Sequence, residues 1–241
     1  MSDKSWKQVN VLGVKVDDVS IDQAAELVVG WLKTGGKHYI VTPNPEFVMA
    51  AQKDQEFKKV LNNAGLSIPD GVGLKIGSDI LNTTSGVDLL ERLCREAADL
   101  GFTTGFLGGR DGVAKQAAEC LQKKYLGLKV VFANDGPEVD SMGNVLSSML
   151  YPISQVDILF VAFGQVKQEK WIANNLPHIP VKVAMGVGGS FDEISGRVLR
   201  VPRWIQKIGL KWLVRLILQP WRIKRQAALL KYIWLVLTSR R

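Results

Sequence analysis

The sequence predicts an α/β fold, a single parallel sheet with helices on both faces, followed by a helical C-terminal appendage. Three observations lead there. Up to about Asp192, short β-branched apolar runs alternate with amphipathic stretches, the pattern of strands joined by crossover helices. Several of the apolar runs end in Gly, Asn or Asp, and three helical stretches stop on a glycine just past their last apolar position, as helices commonly do. From Ile194 to Arg241 there is no Asp or Glu at all, while four of the seven tryptophans fall there among Lys and Arg. The α/β unit is therefore expected over 1–195 and the appendage over 196–241.

In chain order, VNVLGVKVD (9–17) is the first strand candidate, and SIDQAAELVVGWLKTG (20–35) follows as a helix with Ser20 as its N-cap. KHYIVT (37–42) is the next strand. It runs into TPNPE, where Pro43 and Pro45 remove two backbone donors and fix φ, so this stretch is a rigid turn. NPEFVMAAQKDQEFKKVLNNAG (44–65) reads as a helix, LSIPD (66–70) as a short strand and GVDLLERLCREAADLG (86–101) as a helix. FTTGFLGG (102–109), KVVFAND (129–135), VDILFVAFG (156–164) and VKVAMGVGG (181–189) complete the strands, with GVAKQAAECLQKKYLG (112–127) and QEKWIANNL (168–176) as helices. There is no internal repeat and no low-complexity linker.

The chain has 241 residues, 46% of them hydrophobic and 22% charged, far from the composition of a disordered protein and enough for one large domain with an appendage. Two cysteines, Cys94 and Cys120, are too few for a disulfide framework or metal site and point to a reducing compartment. The polar start MSDKSWKQVN lacks an apolar h-region, so export is not expected. The net charge of +8 resides in the tail, which divides at Pro220. In 202–219, Trp204, Ile205, Ile208, Trp212, Leu213, Leu216 and Ile217 recur at spacings of three and four, with Arg203, Lys207, Lys211 and Arg215 largely elsewhere on the wheel. The segment 220–241 has a basic start, an apolar middle and a basic end. Neither contains the roughly 20 apolar residues that a spanning helix needs. Large apolar side chains, Trp and a Lys/Arg face instead predict helices lying in the plane of an anionic membrane surface. The plainer alternative is packing on the core or on another copy of the chain, which leaves a homo-oligomer open. Nucleic acid is disfavoured, because so many interleaved Leu, Ile and Trp do not suit a groove-reading helix.

Five motifs fall at strand carboxyl ends, and so on one edge of one parallel sheet, where α/β proteins bind ligands. In VTPNPEFV, Thr42 and Asn44 either cap the following helix or face a ligand. In IPDGVGL, Asp70 sits on a Pro-Asp-Gly turn, which is turn chemistry or a pinned general base. In FLGGRDGVA, Gly108 and Gly109 precede a helix whose free N–H groups suit a diphosphate. That motif is not G-x-G-x-x-G, and Asn134 and Asp135 stand where an acidic ribose ligand is usual, so a nicotinamide cofactor is disfavoured. In FGQVKQEKW, Gln168 caps a helix or bonds a sugar or base. In GVGGSFD, Gly188 and its neighbouring glycines allow close backbone approach, and Asp192 suits ribose hydroxyls, with a plain tight turn as the alternative. His38 and His178 are isolated and no cluster has ligand spacing, so no metal or other cofactor is expected.

These motifs, with GVDLLERL and GLKWLVRLILQPWRIKR, occur in an order that closely resembles the WecG/TagA/CpsF family of bacterial glycosyltransferases over nearly the whole chain. The resemblance implies a Rossmann-like, metal-independent, inverting enzyme that is peripheral at the cytoplasmic face of the cell membrane. Family members transfer N-acetylmannosamine from a UDP-sugar to N-acetylglucosamine on a diphosphate-linked undecaprenyl lipid, building the wall teichoic acid linkage unit. Others transfer related sugars such as N-acetylmannosaminuronic acid. By resemblance, Asp70 is the base, and Thr42 and Asn44 line the sugar pocket. Gly108, Gly109, Gln168, Gly188 and Asp192 lie on the donor nucleotide side, and Arg215, Arg222 and Arg225 meet the diphosphates. One departure is that only NTTS (82–85) stands where the family carries a longer basic loop. A non-catalytic nucleotide-binding module recruited by its tail is the alternative class.

Overall fold

The computed structural model describes residues 6–76, 78–146, 153–202, 205, 213, 214, 216 and 223–238, with side chains of the last stretch described from Leu229 on. The chain opens with an antiparallel hairpin, β1 (Gln8–Val11) and β2 (Val14–Asp17), where one strand of the main sheet was expected. Leu12 and Gly13 both have positive φ, 51° and 82°, the backbone a two-residue hairpin turn demands. Asn10 Oδ1 holds the turn by accepting from Gly13 N at 2.7 Å. Val9, Val11, Val14 and Val16 are buried on the inner face of the hairpin. The buried Asp17 accepts from Ser67 N at 2.9 Å, tying the hairpin to the main sheet.

That sheet has six strands, all parallel: β3 (His38–Val41), β4 (Leu66–Ser67), β5 (Thr103–Gly108), β6 (Lys129–Asn134), β7 (Val156–Ala162) and β8 (Val181–Gly186), in the order β4-β3-β8-β7-β5-β6. Helices cover both faces. On one lie α1 (Ile21–Thr34), α4 (Gly86–Leu100), α5 (Val113–Lys124) and the short α7 (Ser190–Ile194). On the other lie α2 (Pro45–Ala51), α3 (Gln55–Asn62), α6 (Lys167–Asn175) and α8 (Ile223–Thr238). Alternation along the strands serves both cores. Ile158, Phe160, Val183 and Met185 face the first, and Leu159, Val161 and Ala184 the second.

Local signals end several helices where expected. Ser20 and Gln23 form a reciprocal capping box at α1, and Gly101 closes α4 in the left-handed region. The stretch 44–65 is two helices rather than one. Asn44 caps α2 by accepting from Phe47 N at 3.0 Å, and Asp54 starts α3 by accepting from Phe57 N at 2.9 Å. The break lets Phe57 turn back onto Phe47, ring centroids 5.6 Å apart. α8 packs on α2 and buries Tyr232 and Val236, while Leu230, Trp234 and Leu237 stay exposed. Among the described residues no helix is long and apolar enough to cross a membrane.

Candidate active site

Beyond the carboxyl ends of β4, β3, β8 and β7 lies a cleft of about 240 Å³, and Thr42, Asn44, Asp70, Gln168 and Gly188 all line it. Two rigid turns meet there. Asp70 N donates to Pro43 O at 2.8 Å, and Thr84 N donates to Pro69 O at 2.9 Å. The Pro-Asp-Gly turn is thereby fixed to the Pro-Asn-Pro turn on one side and to the entry of α4 on the other. Gly86, at the start of α4, sits so close that a Cβ there would stand 3.4 Å from Thr42 Oγ1. Asn44 lines the cleft while spending its carbonyl on the α2 cap, so its amide nitrogen is the end left to a ligand. The capping role read for Asn44 is therefore present, and its side chain also borders the cleft.

On the far wall, Gln168 is almost fully buried at the start of α6. Its Oε1 accepts from Gly188 N at 3.0 Å, and its Nε2 donates to Glu169 Oε1 at 2.6 Å. Glu169 is wholly buried, and its Oε2 accepts from Val166 N at 2.8 Å. Burial pushes its carboxyl up to about 7. Val166 itself has φ 73°, unfavourable for a β-branched residue.

Other expected residues lie elsewhere. Gly108 and Gly109, at the end of β5, do not line the cleft. A Cβ on Gly108 would lie 2.7 Å from the Ala162 carbonyl, and one on Gly109 2.2 Å from Val113 Cγ1, so neither position has room for a side chain. At the adjoining turn, Gly112 N donates to the Asp135 carboxylate at 2.9 Å, and Gly109 N to Ala162 O at 2.9 Å. Asp192 sits in α7, which was read as a strand end. The helical turn brings Ser190 and Glu193 to the cleft in its place. Arg215 and Arg222 lie outside the described residues, as does the side chain of Arg225.

Glu46, Ser85, Gln165, Ser190 and Glu193 also line the cleft. Glu46 stood in plain view in TPNPE, but only the adjacent strand ends show where it faces. With its amide turned to satisfy both partners, Gln165 donates to Glu46 Oε2 at 3.1 Å and accepts from Phe47 N at 3.3 Å, linking the β7–α6 turn to α2. Glu46, Asp70 and Glu193 make the described lining acidic, and it contains no Lys, Arg or His. Among the described residues no group of His, Cys, Asp and Glu gathers as a metal site.

A larger groove of about 660 Å³ lies at the opposite, amino-terminal edge of the sheet. Its polar groups serve each other: Lys182 pairs with Asp157 at 2.8 Å, and Asp157 accepts from Thr103 N and Oγ1, both at 2.8 Å. Nothing in it resembles the convergent, partly unspent polar groups of the carboxyl-end cleft.

Residues 9–241 match the family model described as "Glycosyl transferase WecG/TagA/CpsF family". An N-acetylglucosaminyldiphosphoundecaprenol N-acetyl-beta-D-mannosaminyltransferase of Bacillus subtilis (strain 168) is 34% identical over 214 residues, covering 83% of this chain and 82% of the relative. A protein of the same name from Bacillus spizizenii (strain ATCC 23059 / NRRL B-14472 / W23) is 30% identical over 240 residues, covering 98% of this chain and 92% of the relative. With its parallel sheet, its strand-end cleft and a match spanning nearly its whole length, this chain belongs to the WecG/TagA/CpsF family of glycosyltransferases.

Proposed function

We propose that this chain transfers N-acetylmannosamine from UDP-N-acetylmannosamine to N-acetylglucosaminyl-diphospho-undecaprenol, with inversion and without a metal, at the cytoplasmic face of the membrane. This is the step that forms a wall teichoic acid linkage unit. The observation that carries the reading is the junction of the two turns, Asp70 N to Pro43 O at 2.8 Å, which presents Asp70, Thr42 and Asn44 to one cleft. In this mechanism the Asp70 carboxylate accepts the proton of the acceptor hydroxyl as its oxygen attacks the anomeric carbon. The bond from that carbon to the UDP oxygen breaks on the opposite side, and UDP leaves with the electron pair. Thr42 and Asn44 orient the transferred sugar, and Gln168 and Gly188 hold the donor. Catalysis is then positioning plus one general base.

The leaving diphosphate needs positive charge, and the acidic described lining supplies none. The basic tail is the natural source, and Arg215, Arg222 and Arg225 are assigned that role. The tail's helix α8 packs against the segments that carry the site. Leu229 reaches the packing of Gly73 and Pro45, and Tyr232 Oη donates to Ile76 O at 3.5 Å. Its exposed Leu230, Trp234 and Leu237, spaced by four and three, form a stripe beside Lys231 that suits insertion into an anionic leaflet. Three carboxylates in the lining also favour a neutral N-acetyl sugar over a uronate, which would meet like charge.

The deciding experiment offers the full chain a panel of UDP-sugars with a short-chain lipid-diphosphate acceptor, with and without EDTA. Transfer from UDP-N-acetylmannosamine that EDTA leaves intact is expected. Preference for a uronate donor, or nucleotide binding without any turnover, would replace this reading with one of its alternatives.

A further inference from the structure

A buried carboxylate normally sheds its charge or finds a cation. Among the described residues Glu169 pairs with no cation, and its carboxylate accepts from the Gln168 amide and the Val166 N–H beside the bare backbone of Gly186. Each oxygen accepts one hydrogen bond. We propose that Glu169 is a positioning residue of the transfer site, its carboxylate deciding which way round the Gln168 amide sits and holding the turn before α6 in its positive-φ geometry. This rests on the cleft being the transfer site.

The polarity of the chain of contacts leaves no freedom. An ionised carboxylate only accepts, and a backbone N–H only donates. Between Glu169 on one side and Gly188 N on the other, Gln168 must turn Nε2 to the first and Oε1 to the second. What the amide has left, one hydrogen and one lone pair, is then the same in every molecule whose Glu169 is ionised. A ligand meeting it finds a donor and an acceptor in a set arrangement, without the cost of sorting two orientations. Space is reserved for the pair as well, since a Cβ on Gly186 would stand 2.6 Å from Glu169 Oε1 and 2.8 Å from Gln168 Nε2.

The plainer role for a glutamate at the third helical position is to cap the helix by accepting from the N-cap N–H. Glu169 does accept from Val166 N. A cap needs one oxygen at the helix surface, however, and here the whole side chain is inside, with the second oxygen committed to Gln168. Val166 at φ 73° is a strained residue beside a cleft, a geometry that persists only where its surroundings over-determine it. The bond from its N–H to Glu169 does so on one side, and Lys170 N to Val166 O at 3.1 Å on the other.

A double-mutant cycle on the full chain tests this, with UDP binding by calorimetry, sugar transfer kinetics and thermal melting at pH 8. Gln168→Ala and Glu169→Gln are each expected to weaken UDP binding or kcat/KM by about tenfold or more. The double variant should be no worse than Gln168→Ala alone, because two residues that act through one contact are not additive. Losses that multiply, or a neutral Glu169→Gln, overturn the proposal. The wild-type chain provides a measurement that needs no variant to fold. The Gln168 side-chain amide should show one strongly shifted, slowly exchanging proton, and two solvent-like protons would refute the contact. If Gln168→Ala transfers normally, positioning fails and the transferase reading stands. If no UDP-sugar turns over but UDP binding gives a non-additive cycle, the transferase reading fails and the positioning stands.

Discussion

Under the proposed function, Asp70 and Glu169 are two carboxylates of one site with opposite tasks. Asp70 lines the cleft on a turn whose backbone is tied down, so its side chain is free to act. Replacing it by Asn keeps the shape and removes the proposed base. Transfer by Asp70→Asn is expected to fall about 10³-fold, with melting and UDP affinity near wild type, and turnover at the wild-type rate would remove Asp70 from the mechanism. Glu169 instead has a carboxyl raised from 4.5 to about 7 by burial. A group that holds its proton more tightly when folded adds stability that is complete below its unfolded value and lost as pH rises through its folded value. The wild type should therefore lose about 3 kcal/mol relative to Glu169→Gln between pH 5 and pH 8. Urea denaturation of both proteins across that window reads the difference, and parallel curves would contradict it. Activity should run the other way, since only the ionised form accepts from both donors.

At the scale of elements, α6 carries Gln168 and Glu169, and Lys170 beside them anchors it. Lys170 is 1% exposed and its Nζ pairs with Asp54 at 2.9 Å and Glu56 at 2.8 Å, both from the start of α3. Both carboxylates are partly solvated, so Lys170→Ala is expected to cost about 2 kcal/mol rather than the full penalty of a buried pair. Chemical denaturation checks this, and a loss below 0.5 kcal/mol would mean that α6 does not depend on the clamp. Several elements were legible because their signals are local: Ser20 at α1, Gly101 at α4, and Asn44 after Pro43. The hairpin was not, because Val9, Val11, Val14 and Val16 form one short valine-rich run and Leu12–Gly13 is not a typical turn pair, although the alternation shifts phase across it. The division of 44–65 was missed because Asp54 has no breaker beside it, and its cap becomes decisive only once Phe57 can reach Phe47. On α8, burial of Tyr232 and Val236 and exposure of Leu230, Trp234 and Leu237 divide the helix into two apolar faces. Replacing the three exposed residues by Ser should lower partitioning onto anionic vesicles at least tenfold while leaving the melting temperature within a few degrees. Unchanged partitioning would assign that face to another partner.

Across the whole molecule, charge is segregated: the cleft's described lining is acidic, whereas the chain beyond Ile194 has no acidic residue. Under the proposed function the two regions need each other, the first for proton transfer and the second for the diphosphates. A chain ending after residue 202 should bind anionic vesicles weakly and transfer no sugar. It should also unfold more readily, since α2 loses the cover of Tyr232 and Val236. Full activity in sedimentation and transfer assays would separate tail from site. Alternation of strand and helix patterns, with polar residues at the strand ends, determined the parallel α/β class and brought Thr42, Asn44, Asp70, Gln168 and Gly188 forward as candidate site residues, because strand ends in such a sheet share one edge. The tertiary structure alone decided that Glu193 rather than Asp192 lines the cleft, that Gly108 and Gly109 lie outside it, and that Glu169 stands behind Gln168. Those outcomes depend on which side chains face each other across β7 and β8, a relation between segments far apart in sequence that no local pattern encodes.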